Sequence, residues 1–220
     1  VVSVWKIRKS SGKVTTAIEH LLASRKDYII IPEDNGSILL TDRRGRTRIS
    51  VRENTANSIR SEIYINETNS RGIFLTTNTK GELIYISSGS GIKKTVFDEF
   101  SEDHFFLYED FNNDGNKDFI FLDKNKIRVY DRFKKILLQH EFQNIITKKP
   151  KFVRLSKKKS ILGIIDTSSK EIVLFNSRGI IHSGLDLYGE TDFVIDKYPG
   201  TDKLFLITGS GNRLYKYDII

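Results

Sequence analysis

Five segments of this 220-residue chain say nearly the same thing: Ile38-Leu39-Leu40-Thr41-Asp42, Leu83-Ile84-Tyr85-Ile86-Ser87, Ile127-Arg128-Val129-Tyr130-Asp131, Ile172-Val173-Leu174-Phe175-Asn176 and Leu214-Tyr215-Lys216-Tyr217-Asp218. Their first residues recur at roughly 42 to 45 residues, the period of a four-stranded propeller blade. A unit that short cannot bury its apolar faces alone and must stack on its neighbours.

A second apolar run precedes each segment: Tyr28–Ile31, Gly72–Leu75, Phe119–Leu122, Ile161–Ile165 and Leu204–Ile207. Between the paired runs lie Asx- and Gly-rich stretches such as Glu33-Asp34-Asn35-Gly36 and Asn78-Thr79-Lys80-Gly81. Asn, Asp and Gly accept the positive φ of tight hairpins, so each pair is predicted to be a hairpin. The runs are short, rich in Ile, Val, Phe and Tyr, and bounded by turn formers, which favours strand over helix. First strands are predicted at Ile63–Ile65, Phe105–Tyr108, Phe152–Leu155 and Phe193–Ile195. Fourth strands are predicted at Thr47–Val51, Lys94–Phe97, Ile136–Leu138 and Gly179–His182. The fourth strands are more polar, as suits an outer edge that must not pair with other chains.

One stretch, Thr15 to Ala23, spaces Ala17, Ile18, Leu21 and Leu22 as a helix would. It occupies the first-strand position of the first repeat, and local propensity is the weaker guide. Strand is the expectation there.

The last repeat stops at Ile220 after its third strand, while Val1–Ile7 alternates like a strand and stands in a fourth-strand position. The expected fold is therefore all-β: a propeller of five four-stranded blades, closed by the N-terminal strand. The alternative is that this strand ends an upstream blade of a larger propeller. The chain is expected to form a single domain over residues 1–220. It contains no Met, even at position 1, which suggests a fragment of a longer protein.

No apolar run approaches the length of a membrane span. With no Cys, disulfides, thiolate catalysis and Cys-ligated metals are excluded. The net charge of +8 invites a nucleic-acid reading. Its richest segments, Arg43–Arg48, Lys148–Lys151 and Lys157–Lys159, fall in turns or edges of different repeats, so a solvated basic surface is the simpler account and nucleic acid is not the expected partner.

One constellation carries chemistry. Asp110-Phe111-Asn112-Asn113-Asp114-Gly115-Asn116-Lys117-Asp118 sets carboxylate or amide oxygens at positions 1, 3, 5 and 9 of a loop, with Gly at position 6 for a sharp turn and a backbone carbonyl near Asn116 to supply position 7. Hard cations such as Ca²⁺ take six to eight oxygen ligands, and alternate residues of a coiled loop can turn that many inward. The predicted metal set is Asp110, Asn112, Asp114, Asn116 and Asp118. Position 12 is Phe121 where an EF-hand has Glu, and strands flank the loop. Three carboxylates in nine residues, with only Lys117 nearby in sequence to offset them, argue against a plain polar turn. The loop is similar to the calcium loops of FG-GAP and VCBS repeats, which join two strands of a propeller blade. The ion is expected to be structural, since all its ligands come from the protein and no His or Glu stands beside them as a base. Asn112 stands where a second Asp is commoner, which implies weaker binding.

Enzyme signatures are lacking. His20, His104, His140 and His182 lie in different repeats without ligand spacing, and Ser88–Gly91 and Gly209–Gly211 read as hairpin turns. Asp42-Arg43-Arg44-Gly45 is similar to the Asp-x-x-Gly of quinoprotein dehydrogenase blades. Those enzymes use eight blades with a Trp near the end of most, whereas this chain has five repeats and Trp5 alone.

As a whole, the chain resembles the C-terminal propeller region of uncharacterised bacterial envelope proteins built from PQQ-like and WD-like repeats. The resemblance rests on Lys26–Ile30, Thr41–Gly45, Tyr108–Gly115 and Asp118–Asp123. It implies an extracytoplasmic location and attaches no catalysis. The expected role is a non-enzymatic scaffold that binds a protein or glycan partner. An enzyme acting on a small molecule or carbohydrate at a central channel mouth is the alternative, and nucleic-acid binding through the basic surface comes third.

Overall fold

The structure is a computed structural model that describes residues 10–14, 17–51, 59–66, 73–89, 91–179 and 187–219. Every predicted hairpin is present, and no helix occurs among the described residues. The strands fall into five antiparallel sheets. The first holds β1 (Glu19–Ala23), β2 (Lys26–Pro32), β3 (Ile38–Thr41) and β4 (Thr47–Val51) in that order. The second holds β5 (Tyr64–Ile65), β6 (Phe74–Thr77), β7 (Leu83–Ile86) and β8 (Ile92–Thr95). The third is β9 (Phe105–Glu109), β10 (Asp118–Asp123), β11 (Lys126–Tyr130) and β12 (Ile136–Glu141). The fourth is β13 (Lys151–Ser156), β14 (Lys159–Asp166) and β15 (Glu171–Asn176), and the fifth is β16 (Val194–Lys197), β17 (Leu204–Ser210) and β18 (Arg213–Ile219).

Three sheets thus have the four strands that the repeat predicts and two have three. Of the strands expected to complete the last two, Gly179–His182 lies outside the described residues except for Gly179, and Val1–Ile7 lies wholly outside them.

The middle strands are buried on both faces, which explains why they read as continuous apolar runs: every residue of β6 and β7 is buried, as are Asp118 to Leu122 of β10. The outer strands β8 and β12 expose Lys, Gln and Glu.

The chain divides into two compact units, Val1–Phe106 and Leu107–Ile220. In the first, Tyr28, Ile30, Ile38, Leu40 and Ile49 of the first sheet pack with Phe74, Ile84 and Ile86 of the second. The Tyr28 and Phe74 rings meet edge to face at 4.9 Å. In the second, Ile161, Ile165, Ile172 and Leu174 pack with Phe193, Ile195, Leu204 and Leu206. Polar bonds within each unit also join residues about one repeat apart. Ile63 N–H donates to Glu19 Oε1 at 3.1 Å, 44 residues away, and Lys151 Nζ donates to the Phe193 carbonyl at 2.5 Å, 42 residues away.

A recurring turn follows the third strand. Asp42 Oδ1 accepts from the N–H groups of Arg44 and Arg46, both at 2.9 Å, while Gly45 N–H donates to the Asp42 carbonyl at 2.8 Å. Asp131 repeats this with Phe133 and Lys135 at 2.8 and 2.9 Å, and Asn176 Oδ1 takes Arg178 N–H at 2.9 Å. Register shifts at Leu40/Thr41 and Val129/Tyr130 place a bulge just before the turn. Asp-x-x-Gly is therefore a self-capping hairpin in this fold: the acid satisfies backbone donors that a tight turn leaves unpaired.

Candidate metal centre

The loop between β9 and β10 takes its shape from its own side chains. Asp118, the first residue of β10, is buried, and its Oδ2 accepts Phe111 N–H at 2.9 Å and Asn112 N–H at 3.2 Å, clamping the loop entrance to its exit. Asp110 Oδ1 accepts Asp114 N–H at 3.0 Å and its Oδ2 accepts Gly115 N–H at 3.2 Å. Asn112 Oδ1 shares the Asp114 N–H at 3.0 Å, and its amide donates to Asp114 Oδ2 at 3.1 Å. Asp114 Oδ1 in turn accepts the Asn116 N–H at 2.7 Å. Gly115 turns the chain with φ of 87°, a value that L side chains adopt only under strain.

Electrostatics follow from this crowding. Burial pushes the Asp118 carboxyl up to about 7, and the charges of Asp114 and Asp110 push the same way against the two N–H donors. Asp114 is also penalised by burial, yet the Asn116 N–H and the Asn112 and Asn116 amides hold it below the usual carboxylate range.

All five predicted residues thus belong to one hydrogen-bonded loop, with Asp110, Asn112, Asp114 and Asn116 linked directly and Asp118 beneath. Their donor chemistry, oxygen only, fits a hard cation. Among the described residues, however, no three Asp, Glu or His side chains converge as a metal cage. Both carboxylate oxygens of Asp110 are turned onto backbone N–H groups, and those of Asp114 onto the Asn116 N–H and the Asn112 side-chain amide.

Two arginines that reading along the chain missed also answer the charge. Arg154 of β13 donates from Nη2 to the Asp110 carbonyl at 2.7 Å and stands 3.3 Å from Asp110 Oδ2, while its Nη1 reaches Asn113 Oδ1 at 2.9 Å. Arg132 Nη1 donates to Asn116 Oδ1 at 3.1 Å. Lys117 lies over the Tyr108 ring, 5.6 Å from its centre. The signal for Arg154 was its spacing: it follows Asp110 by 44 residues, one repeat, the interval at which other side chains cross between sheets of a unit.

The histidines are dispersed. His104 is buried, with Nδ1 at 2.7 Å from the Ser101 carbonyl and Nε2 at 3.0 Å from Thr77 Oγ1. His140 packs between Phe142 and Phe175, and burial lowers its pKa. His20 is exposed, and His182 lies outside the described residues. In the first unit a cavity of about 430 Å³ is bordered by Glu33, Ser11, Asn35 and Thr47. Glu33 already accepts the Ser11 N–H at 3.0 Å and the Ser11 hydroxyl.

No protein-family model and no curated protein matches the sequence. Solved structures are similar in fold. The WD40 domain of Neurospora crassa Pan2 aligns with 91% of this chain and 61% of its own length at 12% identity and a TM-score of 0.56. The fold is propeller-like. A catalytically inactive virginiamycin B lyase from Staphylococcus aureus with quinupristin aligns over 96% of this chain and 72% of its own at 18% identity, TM-score 0.56. BamB from Moraxella catarrhalis aligns over 93% and 57% at 14% identity, TM-score 0.50. The chain therefore spans less than two thirds of the Pan2 domain and of BamB.

Proposed function

We propose that the chain is a non-enzymatic propeller scaffold that presents a rigid surface to a protein or glycan partner, with Ca²⁺ pinning the Asp110–Asp118 loop. In this reading the five sheets are blades, and Val1–Ile7 pairs with β18 as the fourth strand of the last sheet. What supports the scaffold is the repetition of short, self-capped hairpins on middle strands buried on both faces, which leaves little of the framework free to move. An extracytoplasmic location belongs to the same proposal and rests on the resemblance to envelope propellers.

The observation that carries the calcium site is the buried Asp118 carboxyl, raised to about 7 by burial and by Asp114 and Asp110. Carboxylates that oppose one another's ionisation are the groups a divalent cation relieves. Asp110, Asn112, Asp114 and Asn116 would hold the ion from the loop, with Asp118 beneath. Bound Ca²⁺ would supply the positive charge that lets the buried Asp118 carboxyl ionise.

The test is thermal unfolding at pH 8 with EDTA, Ca²⁺ or Mg²⁺. A ligand present at about 100 times its Kd stabilises the folded state by about 2.7 kcal/mol. For a chain of this length that is a rise in Tm of roughly 5–10 °C. Asp114→Ala should abolish the Ca²⁺-dependent rise. A wild-type Tm indifferent to Ca²⁺ would show that Arg154 and the backbone donors suffice and that the loop is a plain Asx turn.

A further inference from the structure

In the second unit, the loop Asp110–Asp118 and the turns after β11, β13 and β16 gather at one end. Arg132 reaches Asn116, Arg154 reaches Asn113, and the Asp202 carboxyl is lowered first by its bond to Lys197 and further by the nearby charge of Lys159, so these segments are neighbours. This end carries the exposed cations Arg132, Lys134, Lys135, Lys157, Lys158 and Lys203, which outnumber the acidic side chains Asp110, Asp114, Asp131 and Asp202 beside them.

The hairpin tip after β11 departs from its sister turns in two ways. Gly45 and Gly179 occupy the left-handed position of their turns, at φ of 72° and 77°, whereas the third sheet places Lys134 there at φ of 67°. A side chain held in this region carries strain that Gly would relieve, and such strain persists where the side chain is needed. In addition, Phe133 at the tip is 75% exposed and Ile136 beside it 50% exposed, the only large apolar side chains so exposed on this end among the described residues. Asp131 fixes the tip by accepting the Phe133 and Lys135 N–H groups, and the Arg132 guanidinium lies 4.7 Å from the centre of the Phe133 ring. The apolar pair is therefore presented outward on a preorganised turn that also carries Arg132, Lys134 and Lys135.

We propose that this tip docks the unit on an anionic phospholipid surface, with Phe133 and Ile136 entering the headgroup boundary and Lys134, Lys135, Lys157 and Lys158 meeting lipid phosphates. Apolar tips flanked by Lys and Arg bind membrane interfaces by combining area burial with attraction to anionic lipid. Two apolar side chains make a reversible contact, not an anchor. A single-stranded nucleic acid fits less well, because it takes successive bases on successive rings and this end exposes one among the described residues.

The test is co-sedimentation of the full chain, in EDTA, with phosphatidylcholine vesicles and with vesicles containing about 30% phosphatidylglycerol. Binding is expected to the anionic vesicles only and to weaken in 0.5 M salt. Phe133→Ser should reduce it roughly tenfold, and each Lys→Glu change at Lys134 or Lys135 by roughly fivefold or more. Lys134→Gly should weaken vesicle binding while raising Tm, separating function from folding. Phe133→Trp should show blue-shifted emission on anionic vesicles, quenched by brominated lipid. Equal binding to both vesicle types, or Phe133→Ser binding like wild type, would overturn the proposal. So would retention on heparin or a single-stranded oligonucleotide without vesicle binding, which would assign the patch to polyanions.

Discussion

Asp27 shows how single side chains hold the strand ends of the first sheet. Its Oδ2 accepts the Arg43 N–H at 2.9 Å, and Arg48 donates from Nη2 to its Oδ1 at 2.9 Å and from Nε to the Asp27 carbonyl at 2.8 Å. The Arg43 N–H first, then the Arg48 guanidinium, hold its carboxyl well below the usual carboxylate range. A carboxylate with a depressed folded-state pKa contributes stability that is fully present above its unfolded value near 4 and is lost as pH falls below it. Asp27→Asn is expected to lower Tm at pH 7, and the gap from wild type should narrow steadily between pH 4 and pH 2 in a series of melting curves. A constant gap would mean that packing, not charge, sets the cost. Asp118 has the opposite sign: raised to about 7, it favours the folded state most below pH 4 and least above pH 7. None of this was legible from composition, which pairs no Asp with any Arg. The spacing Asp27 to Arg43 and Arg48 acquires meaning only once β2, β3 and β4 lie side by side.

At the scale of the hairpin, sequence and structure agree closely because turn chemistry is local. The self-capping turn needs an acceptor at its first position and a left-handed residue three later, and Asp42, Asp131 and Asn176 supply the acceptor at the same point of successive repeats. Asp42→Asn keeps the acceptor and should cost little, while Asp42→Ala leaves the Arg44 and Arg46 N–H groups without it and should cost about 1–2 kcal/mol, read by urea titration. Equal losses would place the energy in the Asp42–Arg46 ion pair, 2.7 Å apart, whose partner is largely exposed. The repeat also overruled propensity correctly at Glu19–Ala23, which is strand β1 despite its helical spacing of apolar residues. It was less exact for β8, expected at Lys94–Phe97 and found at Ile92–Thr95. Ser87 N–H closes on the Gly91 carbonyl at 2.9 Å, so Ile92 falls opposite Ile86 and the pairing begins there, leaving Val96 64% exposed. The apolar Val96-Phe97 pair drew the expectation along the chain, whereas a closed turn decided the register.

For the whole molecule, the period gives strand order and sheet membership, because successive strands pair with their neighbours in sequence. It brings residues one repeat apart near each other, as Arg154 and Asp110 are, but which side chains cross depends on how neighbouring sheets face each other. Closure is the remaining question at this scale. β18 pairs along all seven residues with β17, and its other edge has no partner strand among the described residues. A long free edge invites association. If Val1–Ile7 is its mate, deleting residues 1–9 removes one strand's hydrogen bonds and apolar contacts and should lower Tm by at least about 5 °C. The bared edge should also recruit copies, visible as concentration-dependent dimers in light scattering. Adding back a peptide of residues 1–9 in trans should restore both Tm and the monomer. An unchanged Tm with a monodisperse monomer would instead favour the larger propeller, in which Val1–Ile7 ends an upstream blade.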